Sequence, residues 1–265
     1  MKRIMFTVLV TMFVAVVNIA AQDTPAPKKS DTYEQLWKLY NENNSNSLPK
    51  SACEVADVIA EKAKDDQNFS QLVKAMKASA EQRMDISTDS ILPDVERFEG
   101  MLSSATVTRA ADAPARKAVL HALLASIYKS VLNSSLSRSD EEQVKLCKER
   151  IRMHVEASLD NKPLLATLDA TPFSELYFKG EDSHLYDNDV LSLLLFYTEN
   201  TYLFNECGNH PQEEMLEHYK QALKVYQDAG RRNAAVAMQI RVWQRMSMDQ
   251  RKSMRLSAQE HKANL

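Results

Sequence analysis

The residues best equipped for chemistry are few, and the densest group is Cys207, His210, Glu214 and His218. A thiol, two imidazoles and a carboxylate are donor types that grip zinc. Glu214 and His218 stand one helical turn apart, with Cys207 and His210 just ahead of that helix. Cys-x-x-His is common by chance, however, and each residue has a plainer use. His210 precedes Pro211 at a helix start, and His218 can serve as a solvated partner for Glu214. A second arrangement would set Cys207 beside His121 or His154 as nucleophile and base, but nothing near Cys207 in sequence activates a thiol. Both patterns therefore read as structural, and no catalytic, cofactor-binding or metal-ligating residue is assigned.

The absent motifs narrow the function further. No Gly-x-Gly-x-x-Gly, P-loop, Gly-x-Ser-x-Gly or His-Glu-x-x-His occurs, which argues against nucleotide chemistry and familiar hydrolytic sites. The 265 residues hold only 4 Gly and 8 Pro, where average usage predicts roughly 19 and 13. That is too little punctuation for a sandwich or barrel. With 44% hydrophobic and 26% charged residues the chain has a globular composition. Basic residues from Lys145 to Arg152 are interleaved with Glu141, Glu142 and Glu149, so no one-signed patch suits a nucleic acid. Trp37, Tyr40, Tyr128, Tyr219 and Trp243 offer material for a peptide groove, but aromatic residues at helical spacing more often fill a core. Cys53, Cys147 and Cys207 are an odd number in an exported chain, far apart in sequence, and fit buried free thiols better than a disulfide framework.

The elements that must position these residues are helical. Residues 1–21 read as a signal peptide: Lys2 and Arg3, an apolar run from Ile4 to Val17, then Ala20 and Ala21. The run falls short of the ~20 apolar residues that span a bilayer, so no stable membrane span is expected after cleavage. Its removal leaves 31 basic against 36 acidic side chains. Residues 22–30 form an expected flexible leader.

A helical subdomain over 31–159 follows. Its stripes are Tyr33, Leu36, Trp37 and Tyr40; Ala52, Val55, Ala56, Ile59, Ala60 and Ala63; Phe69, Leu72, Val73, Met76 and Ala80. Beyond them come Leu92, Val95, Phe98 and Leu102 after Ser90, a linker from Ser103 to Pro114, and a wide stripe of Leu120, Leu123, Leu124, Ile127, Tyr128 and Val131. Ser139 and Glu142 match a capping box ahead of Val144, Cys147, Ile151 and Val155.

Residues 160–189 form a connection with a short helix expected at Thr171-Pro172. Residues 190–265 form a helical hairpin subdomain: an all-round apolar segment Val190 to Tyr197, a helix opened by His210-Pro211, a stop at Gly230, and a stripe of Ala234, Ala237, Ile240 and Trp243. The stretch Asp249 to Leu265 should be a frayed or exposed end. The fold class is all-α, with antiparallel helical hairpins in a tetratricopeptide-like or solenoid-like array.

One stretch carries a resemblance. Residues 33 to 78, with Tyr33-Glu34-Gln35-Leu36-Trp37-Lys38, Leu48-Pro49-Lys50-Ser51-Ala52, Ile59, Lys62-Ala63-Lys64, Asn68 and Gln71-Leu72-Val73-Lys74-Ala75, resemble the start of large exported bacterial alpha-2-macroglobulin-like proteins. Leu120-His121-Ala122-Leu123-Leu124-Ala125 with Tyr128, and Leu185-Tyr186-Asp187, are similar to the same helical region in the same order. The resemblance implies a helical module that precedes macroglobulin sandwich domains, a bait segment and a thioester that traps endopeptidases.

This chain departs from that plan. Cys207 is followed by Gly208, Asn209 and His210, so no Cys-x-Glu-Gln thioester motif occurs, and no run of alternating strands is present. The expectation is a non-enzymatic interaction module of the periplasm or cell envelope, truncated or stand-alone, needing no cofactor. Its partner, by resemblance, is a macroglobulin domain or a protease. The alternative is an independent tetratricopeptide-like periplasmic adaptor that binds a peptide or protein. The partner-binding residues are not legible in the sequence.

Overall fold

Thr32 opens the helices. Its hydroxyl accepts from the Gln35 backbone N–H at 3.2 Å while the Gln35 side chain accepts from the Thr32 N–H at 2.9 Å, a reciprocal cap for α1 (Tyr33–Ser45). Proline in its tolerated first turn starts α2 (Pro49–Asp65), and the Asn68 side chain caps α3 (Phe69–Ile86). The computed structural model describes residues 26–87, 91–137, 140–173, 181–204, 207–247 and 250–251. The signal peptide at 1–21, Ser90, Ser139, most of the stretch from Asp249 onward and the first part of the leader lie outside those residues.

The next helices are α4 (Leu92–Gly100), α5 (Ala105–Thr108), α6 (Ala113–Ser137), α7 (Glu141–Ser158) and α8 (Lys162–Leu165). They are followed by α9 (Val190–Phe204), α10 (Pro211–Asp228) and α11 (Arg232–Arg245). The fold is all-α: among the described residues no strand forms, and Asp169 and Asp189 make a single isolated bridge. No helix among them is long and apolar enough to cross a membrane. The 25-residue α6 is the central pillar, packing against α3, α4, α5, α7 and α9. Its Leu120, Leu123, Leu124, Ile127, Tyr128 and Val131 are all buried, as their spacing requires. One buried cluster runs from Ala63 to Val242 and takes Leu165, Ala170, Phe173 and Tyr186 from the 160–189 stretch. A smaller cluster joins Leu36 and Tyr40 of α1 to Val55 and Ile59 of α2.

Three local expectations are corrected. The cap of α7 is Asp140 rather than Ser139: its carboxylate accepts from the Gln143 N–H at 3.0 Å, and Glu142 lies in the first turn. A charged acceptor there also meets the positive end of the helix dipole. The Ser103 to Pro114 stretch is not a plain linker, because α5 buries Thr106 and Val107 and α6 already begins at Ala113. In α11 the buried stripe is Ala234, Met238 and Val242, whereas Ile240 is 53% exposed. A four-residue step keeps those three on the side facing α10. Gly230 ends α10 at φ 67°, the left-handed region expected of it.

A polar latch ties the 160–189 stretch to the last hairpin. Arg231 donates to the carbonyls of Ala166 (2.6 Å) and Tyr186, and pairs with Asp187 (3.0 Å) and Asp189 (2.8 Å). Asp189 also caps α9 by accepting from the Ser192 N–H at 2.7 Å, and accepts from the Tyr226 hydroxyl at 3.1 Å. Burial raises the Asp189 pKa against these partners. On the far side, Arg83 of α3 bridges Asp57 of α2 (2.6 Å) and Asp94 of α4 (2.9 Å).

Candidate functional site

The structure disperses the Cys207, His210, Glu214 and His218 group. Cys207 is 2% exposed inside the core. Glu214 turns to Tyr202 of α9, whose hydroxyl donates to it, and accepts from the His210 N–H at 3.2 Å. Burial works against the charged form of Glu214, but these donors hold its pKa below the ordinary value. His218 is not the expected solvated partner of Glu214. Its side chain is 8% exposed and its Nε2 lies 3.3 Å from Glu156 of α7, where the packing of α10 on α8 and α9 holds it. Among the described residues no group of three or more His, Cys, Asp or Glu side chains is arranged to hold a metal ion.

Nor does the structure join Cys207 to His121 or His154. All three thiols are buried and free. Burial pushes Cys207 up to about 12 and Cys147 up to about 11, and it raises Cys53 despite the Ser79 hydroxyl 3.7 Å away. Thiols so held do not ionise near neutrality, so they are poor nucleophiles. The aromatic residues do not line a common groove either: Tyr40, Tyr128 and Tyr219 are buried. Trp37 is half-buried, donates to Gln71 at 2.6 Å and stacks edge-on to Tyr40.

The two other histidines meet each other. His121 of α6 and His154 of α7, 33 positions apart, approach through their Nδ1 atoms at 2.9 Å. His154 is 1% exposed, and its Nε2 faces Glu99 of α4 at 3.2 Å. The Tyr128 hydroxyl donates to the same Glu99 oxygen at 2.9 Å, and Arg150 lies 3.8 Å away. Burial, then the neighbouring His154 and Lys117, push His121 down to about 4. Burial likewise lowers His154, although Glu99 opposes it. Both rings are therefore neutral near pH 7.

His121 is the end of this chain that lines a cleft. The cleft has a volume of about 1140 Å³ and lies between α6, α7, α8 and α10. Lys117, Arg152 and Lys162 line it, as do Glu156, Glu214 and Glu217. Lys162 is 7% exposed, unusually deep for a lysine, and its ammonium donates to the Leu159 carbonyl at 2.9 Å. Its burial lowers its pKa against the pull of Glu156, Asp160 and Glu217. The His218 Nδ1 atom is buried at the same cleft without a hydrogen-bond partner.

This cleft is not legible in the sequence. His121 and His154 stand there only as remote partners for Cys207, and their positions along α6 and α7 carry no sign that the two helices set them face to face. No family model, no curated protein and no solved structure matches this chain.

Proposed function

We propose that this chain is an exported, non-catalytic helical interaction module that binds a segment of a protein partner in the cell envelope. The carrying observation is the open, mixed-charge cleft between α6, α7, α8 and α10, with a buried lysine in its wall. Walls bearing both charge signs suit a polypeptide better than a polyanion. The deeply buried, un-ionised thiols are consistent with a module that binds rather than one that uses cysteine chemistry.

In this reading the helices form antiparallel hairpins stacked in a tetratricopeptide-like array. The close packing of the sequence neighbours α2 with α3, α6 with α7 and α10 with α11 supports it. The resemblance of residues 33 to 78 to the start of alpha-2-macroglobulin-like proteins supplies the partner class: a macroglobulin domain or a protease. An independent adaptor for another envelope protein is the alternative.

The test is affinity capture from envelope extract with the wild-type chain and with Ala157→Trp, which fills the cleft wall. Recovery of a macroglobulin or protease by the wild type but not by the filled variant supports the proposal. Equal recovery by both overturns the assignment to the cleft. Incubation with endopeptidases should yield no covalent adduct, and a stable adduct would overturn the non-catalytic reading.

A further inference from the structure

We propose that His121 Nε2 is a fixed hydrogen-bond acceptor for a backbone N–H of an extended peptide lying in the cleft, a refinement that rests on the peptide-binding reading above. Glu99 fixes where the ring hydrogens sit. A carboxylate offers only lone pairs, so the His154 Nε2 that faces it at 3.2 Å carries the hydrogen. A neutral ring holds one N–H, which leaves His154 Nδ1 bare. The His121 Nδ1, 2.9 Å away, must then be the donor between the two rings. His121 has spent its only N–H inward, and its Nε2 is left as a lone pair. No described protein group bonds to that nitrogen, and the ring that carries it lines the cleft.

The surroundings choose among donors. Lys117, one turn earlier on α6, lines the same wall and opposes an incoming ammonium. A neutral N–H or O–H meets no such repulsion. Sugars also carry neutral donors, but their apolar faces stack on aromatic rings, and among the described residues no Phe, Tyr or Trp lines this cleft. The cleft volume of about 1140 Å³ exceeds the ~300–1,000 Å³ common for small-molecule pockets. An extended peptide meets these conditions, with alternating backbone N–H and C=O groups and side chains for Arg152, Lys162, Glu156 and Glu217.

The experiment selects binders from a random decapeptide phage library against the full chain, then measures the best peptide by calorimetry on wild type, Ala157→Trp and His121→Phe. The expected result is loss of binding in Ala157→Trp and a roughly tenfold weaker affinity in His121→Phe, about what one well-made hydrogen bond contributes. If no selected peptide is sensitive to Ala157→Trp, the peptide-binding reading itself falls, and this inference with it. If binding needs the open cleft but is unchanged in His121→Phe, only the inference falls.

Long-range ¹⁵N–¹H spectra of the wild type keep the question answerable should His121→Phe misfold. His121 should be the Nδ1–H tautomer, and its bare Nε2 resonance should move on peptide addition. An Nε2–H tautomer in the free protein, an Nε2 resonance that stays put with peptide bound, or stoichiometric zinc binding at His121, overturns the proposal.

Discussion

Acidification should weaken the fold through His121, and the size of the effect can be worked out. In the folded chain its pKa is about 4 against 6.5 for a free imidazole, chiefly because burial disfavours the charged ring. A folded value below the unfolded one means the unfolded chain binds the proton first. The contribution is therefore intact above the unfolded pKa and is lost as the pH falls towards the folded one. Linkage then gives a loss of about 2 kcal/mol by about pH 5 and about 3 kcal/mol by about pH 4, where it levels off. The groups facing the ring are His154 from α7, Glu99 from α4 and Lys117 on its own helix. His154 titrates in the same direction and Glu156 of the cleft is also shifted, so the effect must be isolated by difference. His121→Gln does so, because its amide can still donate to His154 Nδ1 without titrating. Urea unfolding from about pH 8 down to about pH 4 should show the wild type losing about 2 to 3 kcal/mol more than the variant. Parallel stability curves for the two proteins would refute the argument that the ring is held neutral by burial.

Other perturbations reach the elements around the site. Arg231→Met should cost about 3 kcal/mol, since it leaves Asp189 buried without its cation; urea denaturation measures this, and a change below about 1 kcal/mol would show that the latch is dispensable. Gly208→Ala places a methyl group against the Glu214 carboxylate and the Tyr202 hydroxyl, so their hydrogen bond should be displaced; thermal unfolding should register a loss of about 1–2 kcal/mol. Gly230→Ala puts a side chain on a left-handed residue and should cost about 1 kcal/mol in the same assay. A thiol reagent at neutral pH should leave Cys53, Cys147 and Cys207 unmodified in the folded chain and label all three in urea, as their burial requires. Rapid native labelling would contradict that packing.

The helices were legible in the sequence because an amphipathic stripe is a local property. Tyr33 to Tyr40, Ala52 to Ala63, Phe69 to Ala80 and Leu120 to Val131 announce their buried faces by spacing alone, and the stop at Gly230 acts within a few residues. The apolar segment Val190 to Tyr197 marked only the first half of α9, which runs on to Phe204.

What tertiary structure decided is which faces meet. Spacing alone put Ile240 on the core face of α11, but Met238, two positions earlier and on nearly the opposite side of the helix, is the buried residue, and only contact with α10 selects between those faces. His218 lay in sequence beside Glu214, yet packing turned it to Glu156, 62 positions away. The meeting of Glu99, His154 and His121 depends on α4, α6 and α7 at one point, and so does the cleft that His121 lines. Burial and hydrogen bonding across helices set ring charge, tautomer and access, and these are sums over neighbours that periodicity along a single chain does not contain.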